Sequence, residues 1–406
     1  MARTTPLERA ILVAVAVATA VAGVADEMSW APVPRFLVAT LALLGLAWTV
    51  TFATEQVGGH LGPSVTGVLQ ATLANLPELF VIVFALNAGE IVVAQTAIVG
   101  SMLANALLLL GVVIVVGANR AEDGVMRFGR RLPNDTTTLL IVMLFAVVLC
   151  SPALGLDEHS GHLQTISIVS AACMLAVYGT WLFGYMRSEG RRERVQAQRE
   201  AANADENGGK VHRGGSGDDY ASGDERDGGE HGERGERDEH GENGDRERAT
   251  PDGPRLSLRA SLALLVLGGA GSAFVSEWFI DALRPATSVL HISLPFAGLV
   301  IVALAGNAVE HAASVVLAAK GQSDLAISVV KSSVGQIAGF VFPLVVIVSV
   351  AFSAHLTLAL APAYIGALAL MTLVVWQVSG DGEATAFEGW ALIALYAIVA
   401  VVAAYQ

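Results

Sequence analysis

Charge is what this chain has least of. Only 15% of its 406 residues are Asp, Glu, Lys or Arg, against about 25% in a soluble domain, so most of it is built to lie in lipid. Its two cysteines, Cys150 and Cys173, fall inside apolar stretches, where cysteine behaves as a small hydrophobe and says nothing about redox compartment. No His-Glu-x-x-His pattern and no Ser/His arrangement is present, which leaves an intramembrane metalloenzyme without a motif. Nor does any segment resemble a nucleic-acid-binding surface, and no nucleic acid is expected as a partner. The net charge of -13 would suit a basic partner, but part of it sits in one hydrophilic segment outside the apolar body.

What fills the chain instead is a series of long apolar runs. Eleven are read, over about 7–25, 33–55, 64–87, 91–117, 136–153, 163–186, 257–283, 294–319, 323–350, 356–377 and 386–405, each near the length needed to cross a bilayer. The fold class expected is an all-α integral membrane protein of about eleven transmembrane helices in a lipid bilayer. The first run has Arg3 and Arg9 around its start and Gly23 and Ala25 at its end, the layout of a secretory signal. A retained helix is the favoured reading.

Between the sixth and seventh runs, residues 187–256 are dominated by Gly, Asp, Glu and Arg. Such a segment buries too little apolar surface to offset the entropy of ordering, and a disordered acidic cytoplasmic linker is expected. Arg120, Arg127, Arg130 and Arg131 follow run four, and Arg187, Arg191, Arg192 and Arg194 follow run six. Alternate crossings put these loops on one side with Arg3 and Arg9, and that side is expected to be cytoplasmic. The amino terminus is then inside, and the cell membrane is the expected location. The domain division follows: an N-terminal helix and loop over 1–32, a five-helix repeat over 33–186, the linker over 187–256, and a second five-helix repeat over 257–406.

The repeat is visible in the residues. Thr72-Leu73-Ala74-Asn75-Leu76-Pro77-Glu78 in run three is matched by Ala305-Gly306-Asn307-Ala308-Val309-Glu310-His311 in run eight. Each copy spaces an amide and a carboxylate three apart, on one face of a helix. Downstream, Ser101 matches Ser332 and Asn105 matches Gln336, with Ser333 beside them. Because each half has five crossings, the second enters the membrane from the opposite side, so the repeats are inverted and Glu78 and Glu310 approach the midplane from opposite faces. Such repeats mark secondary transporters.

Two carboxylates in a low-dielectric interior repel if both are charged, so one holds a proton or a cation stands between them. Carboxylate, amide and backbone oxygens are hard ligands suited to calcium. Pro77 cannot donate to the carbonyl of Leu73, and freed carbonyls near Pro77 and Gly306 would add ligands. His311 is read as a proton relay or a hydrogen-bond partner; the lone amides and hydroxyls also fit helix-to-helix bridging. Glu55 and Glu277 lie near the ends of runs two and seven, at the interface or on an ion-entry path.

The two motifs resemble the repeat signatures of the calcium/proton exchanger (CAX) family, within the calcium/cation antiporter superfamily. Ala53-Thr54-Glu55 and Ser276-Glu277 also resemble family positions in the preceding helices. The resemblance implies that Glu78 and Glu310 bind the cation and protons and that Ser101, Asn105, Ser332, Ser333 and Gln336 line the cavity. The residues themselves add Asn75 and Asn307 as cation ligands and His311 and Lys331 as candidates for the cavity lining. Calcium and protons would be transported ions, and no cofactor is implied. Two residues depart from the pattern: Ala74 and Lys331 both stand where glycine is usual. The lysine would either snorkel to the cytoplasm or add a positive charge to the cavity. The function expected is calcium-for-proton antiport by alternating access, the alternative being sodium/calcium exchange.

Overall fold

The computed structural model describes residues 4–61, 69, 72–73, 75–129, 131–150, 162–184 and 255–406. The linker expected over 187–256 lies outside the described residues except for Arg255 and Leu256. Eleven helices are described: α1 Pro6–Glu27, α2 Pro32–Leu61, α3 Leu76–Asn87, α4 Ile91–Arg120, α5 Arg131–Leu149 and α6 His162–Gly184 precede the linker. After it come α7 Leu258–Leu290, α8 Leu294–Ala319, α9 Ser323–Ala351, α10 Pro362–Ser379 and α11 Ala386–Ala404. Nine of them are long and apolar enough to span a membrane; α3 and α5 are shorter.

The protein is therefore an α-helical integral membrane protein of two inverted five-helix repeats plus an N-terminal helix. Local chemistry sets many helix starts. Thr5 and Glu8 form a reciprocal cap ahead of α1, with Pro6 in its first turn, and Thr385 with Glu388 does the same for α11. Ser257 and Ser293 cap α7 and α8.

Alternate crossings bring the α4–α5 and α10–α11 loops to one face. There Val125–Arg127 (β1) pairs antiparallel with Glu383–Thr385 (β2), joining the two repeats. Among the described residues these strands depart from the all-helical expectation, and three residues each leave too little pattern to read. Arg127 bridges Asp123 at 2.7 Å and Glu383 at 3.5 Å. Its hydrogen bond holds the Asp123 carboxyl below the usual carboxylate range.

At the centre runs α4, with 89% of its most apolar window buried, against 11% for α1. Without a hydrophobic force between helices in lipid, close approach depends on small residues. A Cβ on Gly100 would lie 2.2 Å from the Leu299 carbonyl oxygen, and one on Gly298 would lie 2.0 Å from Thr96 Oγ1, so α4 and α8 cross with their backbones in contact. Gly111 and Gly389 likewise bring the backbones of α4 and α11 together, a Cβ on either meeting the other's carbonyl oxygen at 2.6 and 2.7 Å.

Two expectations of helix shape are corrected. Run seven does not stop near 283: α7 passes through Pro285 and ends at Leu290, where His291 takes the left-handed conformation. Pro285 removes one helix hydrogen bond, but the residues around it keep the helix going. Glu277 thus lies thirteen residues from the end of α7, about 20 Å by helical rise. Near Gly306 no break is found, because α8 is continuous there. The irregular turns lie elsewhere, as π segments at Ala104–Leu109 in α4, Ala297–Val302 in α8 and Ile337–Val341 in α9. Segments of this kind are frequent at functional sites.

Candidate ion-binding site

Run three is broken where its motif lies. Asn75 is a turn residue, α3 begins at Leu76, and Pro77 falls in the first turn, where its missing N–H costs nothing. Glu78 therefore sits at the N-terminal end of a helix, buried to 1% exposure. Its partner motif lies in mid-helix on α8, and Glu310 there is partly exposed. The two halves of the site are built differently although their sequences match.

Gly306 brings the halves together: a Cβ there would lie 3.4 Å from Cβ of Glu78. Glu310 follows one turn later on α8, close enough to act on Glu78 as a charge. Ser101 and Asn307 flank the Glu78 carboxylate, and Ser333 faces Glu310. Their donors, however, do not align with the carboxylate oxygens. Both oxygens of Glu78, Oε2 of Glu310 and Oδ1 of Asn307 are buried without a hydrogen-bond partner. Asn307 spends its amide hydrogens on Ser101 Oγ at 3.2 Å and the Ala303 carbonyl at 3.1 Å.

Around these oxygens run two hydrogen-bonded chains, each crossing between the repeats. Asn75 donates to Gln336 at 2.9 Å, and Gln336 donates to Ser332 at 3.0 Å. In the other, His311 Nε2 meets Asn105 Oδ1 at 2.7 Å while Asn105 donates to Ser333 at 3.2 Å. A carbonyl oxygen has no hydrogen to give, so Nε2 is the protonated nitrogen of His311. First-motif Asn75 thus reaches the second repeat's α9, and second-motif Asn307 and His311 reach the first repeat's α4. This crosswise pattern is what inverted repeats produce when their motifs meet.

Three sequence-derived residues fall elsewhere. Lys331 neither snorkels nor meets the carboxylates: it is 1% exposed and its ammonium donates to Ser379 of α10 at 2.9 Å. Glu55 and Glu277 are exposed, and Glu55 lies near Arg255. Beside them, the hydroxyls of Thr54 and Ser276 are fully buried without partners. Ser379 and Thr136, which hold Lys331 by its side chain and its backbone, carried no signal; Ser379 ends an apolar helix and Thr136 is one of three consecutive threonines.

The class of this helical membrane body, a secondary transporter and not an enzyme, is that of its named relatives. The sequence model described as "Sodium/calcium exchanger protein" matches residues 32–186 and 260–405. The chain belongs to that family. It is 30% identical over 384 residues to a "Ca(2+)/H(+) antiporter" of Synechocystis, covering 93% of this chain and 92% of the relative. To the "Ca(2+)/H(+) antiporter" of Aphanothece halophytica it is 28% identical over 375 residues, covering 92% and 90%. Rice "Vacuolar cation/proton exchanger 1a" is 28% identical over 379 residues, covering 90% and 73%. Two solved structures share the fold. YfkE superposes with a TM-score of 0.71 at 22% identity, covering 98% of this chain and 100% of that one. A structure described as an H+/Ca2+ exchanger, CAX, gives 0.68 at 14% identity, covering 98% and 93%.

Proposed function

We propose that this protein exchanges calcium for protons across a membrane by alternating access, with Glu78 and Glu310 as the shared binding groups. The observation that carries this reading is the set of buried acceptor oxygens with no donor: Glu78 Oε1 and Oε2, Glu310 Oε2 and Asn307 Oδ1. An unpaired buried carboxylate is costly. Either a proton or a hard cation relieves that cost, and calcium takes six to eight oxygens of this type. The named antiporter relatives support the choice of ions.

The roles divide by geometry. Glu78 and Glu310 take calcium or protons, and Asn307 adds its free oxygen. Asn75, Gln336 and Ser332 form one supporting chain, and His311, Asn105 and Ser333 the other, holding α4 and α9 beside the carboxylates. Because both ions need the same oxygens, calcium displaces protons on one side and protons displace calcium on the other. The more accessible Glu310 is the group a cation meets first, while Glu78 is sealed behind Gly306. We place the protein in the cell membrane with its arginine-rich loops inside.

The test uses purified protein in liposomes with an imposed pH gradient. Calcium added outside is expected to enter and collapse the gradient without sodium present. Calcium uptake driven by a sodium gradient, with no response to pH, overturns the proton-coupled reading in favour of sodium/calcium exchange.

A further inference from the structure

Lys331 is the one lysine buried within the helices among the described residues, and the exchange mechanism above makes no use of it. It occupies the position in the second repeat that Gly100 occupies in the first, since Ser101 pairs with Ser332. At Gly100 the absence of a side chain lets α4 rest on the backbone of α8 at Leu299. At Lys331 a long side chain runs the other way, to the last residue of α10.

That contact is well built. Ser379 Oγ donates its hydrogen to the Val375 carbonyl at 2.5 Å, so its lone pairs are left for the lysine, which donates at 2.9 Å. Ser379 ends α10, and the carbonyl end of a helix favours a cation. On the opposite side the backbone carbonyl of Lys331 accepts from Thr136 of α5 at 3.0 Å. One residue therefore ties α9 to both α5 and α10.

The register of α9 matters because two residues of the ion site lie within the next turn and a half of the helix. Ser333 is two residues beyond Lys331, about 200° around the helix, and so faces away from α10, toward Glu310 and Asn105. Gln336 is three residues further and accepts from Asn75. Directly after it the helix widens into the π segment Ile337–Val341, so the regular hydrogen-bond ladder does not carry through to lock the rotation of Ser323–Gln336. We propose that Lys331 is a positioning residue for calcium. Its docking on Ser379 fixes the rotation of α9 and so presents Ser333 and Gln336 to the ion site. This inference rests on the calcium exchange reading above.

The test compares Lys331→Met, Ser379→Ala and the double variant in the full-length protein, reconstituted in liposomes, with calcium as the probe. Ser379→Ala strands the buried Lys331 amine and lowers thermal stability, whereas in Lys331→Met the Ser379 hydroxyl keeps its bond to the Val375 carbonyl. The double variant strands no amine, so it regains the stability that Ser379→Ala loses; this separates positioning from folding. In the double variant half-saturating calcium is expected to stay raised by about fivefold, the factor that one buried hydrogen bond supplies, while maximal rate changes less. Should Lys331→Met fail to insert, the double variant still carries the test. Half-saturating calcium at the wild-type value in the double variant overturns the proposal. So does a lower value, because it would mean that the ammonium repels calcium from the site. Wild-type protein that takes up no calcium speaks against the exchange reading instead.

Discussion

Glu78→Gln and Glu310→Gln should each reduce calcium/proton exchange to the level of protein-free liposomes while the protein still inserts and melts near the wild-type temperature. The amide keeps the shape of the side chain but can neither release a proton nor supply a full negative charge. At Glu78 the effect should be total, because both of its oxygens are buried and unpartnered and Glu310 lies close enough to act on it as a charge. The same substitution removes a buried charge, so stability should not fall. Transport assays with calorimetry on the same preparations decide it. Calcium exchange retained in either variant rules out the pair as the shared site.

The second large effect concerns Gly100. A methyl group there would sit 2.2 Å from the oxygen, 2.5 Å from Cα and 2.7 Å from the carbonyl carbon of Leu299. All three are backbone atoms, so no side chain can swing aside and α4 must part from α8. Overpacking of this kind costs about 1–3 kcal/mol. The neighbouring Ser101 then loses its 3.2 Å contact with Asn307, and transport should fall together with the melting temperature. Gly179→Ala is the control, since a Cβ there meets nothing within 4 Å and should change neither. A Gly100→Ala protein that melts and transports like wild type would show that the two helices are not held in contact.

Much of this was readable from residue order because lipid imposes a simple rule. Every backbone polar group must be satisfied inside the segment, so apolar runs become helices, and the eleven runs became eleven helices. The paired motifs at 75–78 and 307–310 were legible for a related reason: a carboxylate in an apolar run stands out. The cross-links also follow, since inverted repeats with matching motifs can meet crosswise. What residue order hid is whatever depends on a helix interrupting itself or on a lone hydroxyl. Pro77 signalled a disturbance, but Gly306 suggested a matching one where α8 runs straight. The π segments, apolar but for Asn105, carry no helix-breaking signal and answer to packing between helices. Lys331 drew attention as a departure, yet its partner Ser379 lies 48 residues away in the chain, with no periodicity to link them.

The claim at the centre is that calcium and protons occupy the same two carboxylates in turn. Titration calorimetry of calcium into the purified protein, repeated in buffers of different ionisation enthalpy, counts the protons released per ion bound. Wild type should release protons on binding calcium, and Glu78→Gln/Glu310→Gln should show neither binding nor release. Calcium binding to wild type with no proton release would contradict the account.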